Sequence, residues 1–225
     1  MFLEAFLDLL FPKFCTGCGC FGTYLCRECA KSIHFYKLPL CPGCMGSINE
    51  LGVHARCKKD TYLDGLVVAV KFDGVIKHMI TEVKYQGYFD QIHTLCRLFL
   101  SKTELQEIRP RVVIPIPLHA KKQDDRGFNQ AWILAQDVSK QLGIPTTDKL
   151  LRKIRETHSQ AGLKREDRLK NVEKAFLCTR KLKRTDTILL VDDVVTTGAT
   201  FSACAHALKS SGAGKVYGVA LAHGR

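Results

Sequence analysis

The sequence predicts an α/β protein, a parallel sheet covered by helices, preceded by a small cysteine-rich module. Three observations carry this. Eight of the eleven cysteines fall before residue 60. Beyond it, short β-branched runs alternate with stretches of helical spacing, the pattern of a sheet wrapped on both faces. One of those runs leads into two adjacent aspartates and a Thr/Gly loop. We place the boundary near residue 60, with a cysteine-rich module over 1–60 and an α/β domain over 61–225. A chain of 225 residues has room for both.

The elements follow in order. Met1 to Phe14 is apolar but carries Glu4 and Asp8, with no positive leader region and no small-residue cleavage site. It reads as a short amphipathic helix rather than a signal peptide. Leu66 to Phe72 is β-branched, hence a strand. Val75 to Tyr85 and Ile92 to Leu105 have helical spacing. Val112 to Ile116 is a short buried strand. Asn129 to Leu142 is a helix closed by Gly143 and Pro145. Thr187 to Val191 is fully apolar, a strand buried on both faces. Phe201 to Ser210 is a helix ended by Gly212, and Lys215 to Ala222 is the last strand. The polar stretches Lys121 to Gly127 and Arg152 to Arg184 read as long loops, which in such a domain are usually functional.

Composition narrows the function classes. Hydrophobic residues make up 46% and charged residues 25%, which excludes wholesale disorder. No apolar run approaches the ~18–20 residues that span a bilayer. The net charge is +12, and residues 152–184 alone hold 12 Lys/Arg against 4 Asp/Glu. Such a balance suits polyanions: phosphorylated substrates or nucleic acid. Lys164, Arg165, Arg168 and Lys170 are the candidates for contacting nucleic acid. Phe176 is the only aromatic residue of that stretch, so base stacking has little support there.

Clustered cysteines without an export signal point to metal rather than disulfides, and to a cytoplasmic location. Cys15-x2-Cys18 and Cys26-x2-Cys29 each chelate from one tight turn, and together complete a tetrahedral thiolate shell for structural Zn2+. Cys41, Cys44 and Cys57 offer an incomplete second shell that His54 or Asp60 can close. Gly17 to Gly22 spells G-x-G-x-x-G but lies inside the metal cluster, not between a strand and a helix, so it is no dinucleotide fingerprint. Ser211 to Lys215 is a helix cap and turn rather than a phosphate loop.

The most informative segment is Ile188 to Thr200. A buried strand delivers Asp192 and Asp193 at its carboxyl end, where α/β sheets bind ligands. Thr196-Thr197-Gly198-Ala199-Thr200 then opens a helix. Backbone N–H groups and the helix N-terminus make an anion site there, the threonine hydroxyls add donors, and Gly198 admits a phosphate close to the backbone. Carboxylates do not favour a phosphate; they suit sugar hydroxyls or a divalent cation beside it. A sugar phosphate fits the whole.

This segment resembles the phosphoribosyl pyrophosphate (PRPP) signature of type I phosphoribosyltransferases. Further motifs are Ile114-Pro-Ile-Pro-Leu-His119, Arg126-Gly-Phe-Asn-Gln-Ala131, and Thr157-His-Ser-Gln160 through Leu163, Arg168, Asn171 and Ala175-Phe176. With the N-terminal cysteines they make the chain resemble the ComF family of competence-related proteins over nearly its whole length. The resemblance implies a type I phosphoribosyltransferase-like sheet with an N-terminal zinc finger. It implies that Asp192 and Asp193 hold the ribose hydroxyls, with Mg2+, and that Thr196 to Thr200 cradle the 5-phosphate. Lys121 and Lys122 would occupy the pyrophosphate loop, with Arg126, Asn129 and Gln130 nearby and residues 152–176 as a basic lid. Implied partners are PRPP, single-stranded DNA taken up in natural transformation, and a helicase or other DNA-uptake protein. The alternative is an active phosphoribosyltransferase of nucleotide metabolism with no DNA role. The sequence shows no nucleophile or general base, so a ligand cradle is more legible in it than a catalyst. ComF-like sequences often carry a further cysteine pair where this chain has Cys57 and Asp60, which weakens the second zinc shell but not the first.

Overall fold

The computed structural model describes residues 12–86, 89–100, 105–119, 123–124, 127–155 and 175–224. Four parallel strands form the main sheet: β1 (Gly65–Lys71), β2 (Val112–Pro115), β5 (Thr187–Val195) and β6 (Lys215–His223), in the order β1-β6-β5-β2. Strands β3 (Leu151–Lys153) and β4 (Phe176–Cys178) pair antiparallel in a separate small sheet. Helix α1 (Arg27–Lys31) lies in the cysteine-rich module. Helices α2 (Gly74–Gln86), α3 (Phe89–Leu100), α4 (Gln130–Leu142) and α5 (Ala199–Ser210) belong to the α/β domain.

β5 is the central strand, paired to β2 on one side and to β6 on the other. Side chains alternate across a strand, and here both faces are covered. Leu189 and Val191 join the core under α2, α3 and α4, while Ile188 and Leu190 join the core under α5 and the small sheet. That is why residues 188–191 read as an unbroken apolar run. Val75, Ile76, Met79, Ile80 and Val83 bury one face of α2 at helical spacing. In α4 the Asn129 side chain accepts from the Ala131 N–H, and left-handed Gly143 closes the helix at φ 66°.

The predicted elements that fall on described residues are present, with three differences; the helix expected over Met1 to Phe14 lies, as far as residue 11, outside the described residues. β5 runs to Val195 rather than stopping at Val191, because β6 keeps pairing with it as far as Val195 opposite His223. Backbone pairing outweighs the weak strand preference of aspartate. α5 begins at Ala199, two residues before the first apolar position of its pattern. The long polar stretch after Arg152 is not loop throughout: β3 and β4 bracket it, anchored by buried Leu151 and Phe176. Three-residue strands carry too little alternation to be seen in sequence.

The cysteine-rich module packs along the sheet edge. Lys71 N–H donates to the His34 carbonyl, Tyr36 N–H to Ala69, and Leu40 N–H to Leu66, so residues 34–40 run antiparallel beside β1 and cover its open edge.

Gly218, mid-strand in β6, marks the closest approach of α5 to the sheet. A Cβ there would stand 2.7 Å from Leu63 Cδ2 and 2.8 Å from Phe201 Cδ1. Gly218→Ala should overpack this site and lower stability by about 1–3 kcal/mol, read as a lower denaturation midpoint in urea. A midpoint equal to wild type would show that α5 can yield.

Candidate functional site

Two groups of metal-ligating side chains and one loop define the chemistry. The first group is Cys15, Cys18, Cys26 and Cys29, whose sulfurs all lie within 4.8 Å of one another. A tetrahedral shell with Zn–S bonds of about 2.3 Å has sulfur–sulfur edges of about 3.8 Å. Cys18 and Cys26 Sγ are 3.7 Å apart. Backbone amides support the thiolates: Cys26 N–H donates to Cys15 Sγ and Cys29 N–H to Cys26 Sγ, each at 3.4 Å. Burial opposes ionisation of Cys15, but the N–H groups of Cys26, Cys18 and Gly17 outweigh it and pull the thiol down to about 6. Gly17 is required by closeness, since a Cβ there would stand 2.6 Å from Cys29 Sγ.

The second group is Cys41, Cys44, His54 and Cys57. The structure closes the shell with His54, not Asp60. Cys44 Sγ lies 3.4 Å from His54 Nδ1, near the sulfur–nitrogen edge of about 3.6 Å that zinc bond lengths dictate. The His54 N–H donates to Cys41 Sγ at 3.4 Å, and with the amides of Cys44 and Gly43 it lowers that thiol against the effect of burial. Both donor sets fit Zn2+. The signal for His54 was in the spacing: it precedes Cys57 by three residues, as Cys26 precedes Cys29.

The loop lies at the carboxyl end of β5. Gly198 caps α5 in a left-handed conformation at φ 75°, and Thr197 Oγ1 accepts from the Ala199 N–H at 3.4 Å. Asp192 and Asp193 are adjacent strand residues whose carboxyl groups stay close enough to interact. Asp193 is buried on the face of α2, where Lys84 Nζ stands 2.7 Å from its Oδ2. Sequence reasoning missed Lys84, because a lysine late in an amphipathic helix carries no motif. Burial first, then the charge of Asp193, pushes Asp192 up to about 8, with Lys84 opposing. The Asn129 side chain donates to the Ile116 carbonyl at 3.1 Å, tying the start of α4 to the end of β2; Gln130 beside it is buried. Ile116 N–H in turn donates to the Val191 carbonyl at 2.9 Å, so the chain leaves β2 next to Asp192. His119 follows, its Nδ1 buried with no hydrogen-bond partner among the described residues. Lys121, Lys122 and Arg126 lie outside the described residues, as do Lys164, Arg165, Arg168 and Lys170.

A cavity of about 570 Å3 opens beside the loop, bounded by Thr196, Thr197, Lys71 and His223 and, from the cysteine-rich module, Met45 and Ser47. Another, of about 520 Å3, lies at the opposite end of β2 and β5 near Arg111 and Thr147. Ligands of open α/β sheets bind at the strands' carboxyl ends, which favours the first. No helix among the described residues is long and apolar enough to cross a membrane.

No protein-family model matches the chain. It is 30% identical over 229 residues to Competence protein F of Haemophilus influenzae, covering 90% of this chain and 99% of that protein. The chain belongs to the competence protein F family. As a family member it is also similar to Competence protein ComFC of Bacillus subtilis, 28% identical over 84% of this chain and 78% of that one. DNA utilization protein YhgH of Salmonella typhimurium is 27% identical over 85% and 87%. Among solved structures, a purine phosphoribosyltransferase from Pyrococcus horikoshii covers 59% of this chain and 72% of its own at 25% identity, with a TM-score of 0.36. That superposition is too loose to assign a fold, which stands on the sheet topology of this family member itself.

The Asp192 carboxyl gives a pH test. Its unfolded value is 3.8 and its folded value is raised to about 8. Between the two the folded chain holds a proton that the unfolded chain has lost, so stability falls as pH rises through this window and levels off above it. Asp192→Asn removes the slope. The melting temperature of Asp192→Asn relative to wild type should climb between about pH 5 and pH 8; a constant difference would overturn the assignment.

Proposed function

We propose that this competence protein F family member binds PRPP at the Asp192–Thr200 segment and acts in the handling of single-stranded DNA during natural transformation. The observation that carries the ligand is the run of β5 through two acids into a left-handed glycine and a helix N-terminus. The relatives' names, competence protein and DNA utilization protein, support the DNA role.

In this reading the 5-phosphate lies against the amides that follow Gly198, with the hydroxyls of Thr196, Thr197 and Thr200 as donors. Asp192 and Asp193 accept from the ribose hydroxyls. Mg2+ would travel with the pyrophosphate and supply charge neutralisation there. Asp193, already paired with Lys84, is the carboxylate we assign to it. Lys84, 2.7 Å from Asp193, adds a positive charge beside the diphosphate. Lys121, Lys122 and Arg126 answer the remaining charge, with Asn129 and Gln130 beside them. Zn2+ in the two cysteine-rich shells holds the module together. The basic residues Lys164, Arg165, Arg168 and Lys170 track a DNA backbone. The cavity beside the loop favours a second reading, transfer of the phosphoribosyl group to an acceptor held there, with pyrophosphate displaced from ribose C1.

Two measurements test this. In isothermal titration with PRPP and Mg2+, wild type should bind, and Asp193→Asn should bind at least about tenfold more weakly, a loss of about 1.4 kcal/mol. Absence of binding by wild type overturns the ligand, and pyrophosphate release on adding an acceptor would select the transferase reading. For DNA, Arg165→Glu with Arg168→Glu should weaken binding of a single-stranded oligonucleotide and flatten its log–log salt slope by roughly 1.4, about 0.7 per lost phosphate contact. Unchanged affinity and slope would remove that segment from DNA binding.

A further inference from the structure

The two metal knuckles repeat one backbone design. In each, the first cysteine's N–H donates to the carbonyl five residues on: Cys15 to Cys20 and Cys41 to Gly46, both at 2.8 Å. In each, the residue four positions on donates back to that cysteine's carbonyl: Gly19 to Cys15 and Met45 to Cys41, both at 2.7 Å. That fourth residue must be left-handed. Gly19 has φ 75° and Met45 φ 58°. Glycine enters this conformation freely; a side-chain-bearing residue does so only when something else over-determines it.

What the Met45 side chain touches explains its presence. Gly198, the left-handed residue at the head of α5, has no room for a Cβ: it would run into Met45 Cε and stand 2.9 Å from the Pro42 carbonyl oxygen. The second knuckle is therefore seated on the loop, with two left-handed residues at the contact, one on each side. The first knuckle rests on α2 instead, Thr16 Oγ1 donating to Glu82 Oε2 at 3.1 Å, and among the described residues a Cβ at Gly19 would meet nothing within 4 Å. Pro42 lies between Cys41 and Cys44, and Met45 follows Cys44, so the metal shell sets the shape of the surface that presses on Gly198.

We infer that the second metal site is a clasp for the phosphate loop: metal in the Cys41, Cys44, His54 and Cys57 shell holds Pro42 and Met45 against Gly198 and so fixes the loop in its anion-accepting form. Met45 is a positioning residue, not a ligand. The identity of the anion rests on the PRPP reading above; the clasp does not.

The test uses full-length zinc-loaded protein. Hydrogen exchange by mass spectrometry follows peptides over 196–204 and, as an internal reference, over β5. His54→Ala should lower zinc from about two to about one per chain and speed exchange over 196–204 by about tenfold or more, with the β5 peptide unchanged. Met45→Ala should keep both zincs and still speed exchange over 196–204 severalfold, which covers the case in which His54→Ala does not fold. Loop exchange within about twofold of wild type in Met45→Ala, or in His54→Ala once zinc is lost, overturns the clasp. PRPP titration of the same proteins separates the two ideas. Wild type that does not bind PRPP while its loop responds to metal overturns the ligand but keeps the clasp. Binding of PRPP equally well by wild type and Met45→Ala overturns the clasp as a device for phosphate.

Discussion

The structure depends on one constraint: β5 is a parallel strand with neighbours on both edges and packed layers on both faces. A strand so enclosed has no surface in its middle on which to place a polar side chain, so the polar residues it carries lie toward its ends. Asp192 and Asp193 occur there, still inside the ladder. The strand holds them rigidly, and burial raises the energy of charging Asp192. One is stabilised by Lys84 at 2.7 Å, while the other stays protonated to higher pH.

Much of this was legible in the sequence because it follows from period. The apolar run of β5, the helical spacing of α2, α3 and α4, and the first thiolate shell rest on local regularities, and local regularities survive folding. What was not legible depends on contacts between distant segments. Lys84 is ordinary until α2 is laid across the sheet. β3 and β4 are too short to signal themselves and exist because Leu151 and Phe176 share a core. His54 lies between these cases. Its spacing to Cys57 matched that of Cys26 to Cys29, yet a histidine in place of a cysteine hid the repeat until the backbone showed it. Left-handed Met45 was beyond reach, since nothing local asks for a methionine there.

The likeness of the two knuckles makes their difference informative. Both direct the same pattern of amides at the first cysteine, and in both the glycine two residues after it is pressed against the last cysteine of its shell. Chemistry of that kind holds a small module together without a large apolar core. The first knuckle does this beside exposed Phe14 and Phe21 and against α2, where Thr16 Oγ1 donates to Glu82 Oε2 at 3.1 Å. The second does it in contact with the α/β domain, with Leu40 almost wholly buried in the core under α5. One motif therefore plays two parts according to what its outer surface meets.

The path from sheet edge to loop explains how a small module can hold a loop still. Residues 34–40 are bonded to β1 through His34, Tyr36 and Leu40, and β1 is bonded to β6 and β6 to β5. The strip that shields the open edge runs directly into Cys41, so the second knuckle starts from a backbone already locked to the sheet. The loop at Gly198 starts from the same sheet at the far end of β5. Two short tethers from one rigid body meet at Met45 and Gly198, and neither can move far without straining its own root. The segment that carries left-handed Met45 is short and bracketed by the four side chains that could hold a metal. Edge protection, the second set of metal-ligating side chains and the seat of Gly198 are in this way parts of a single continuous segment.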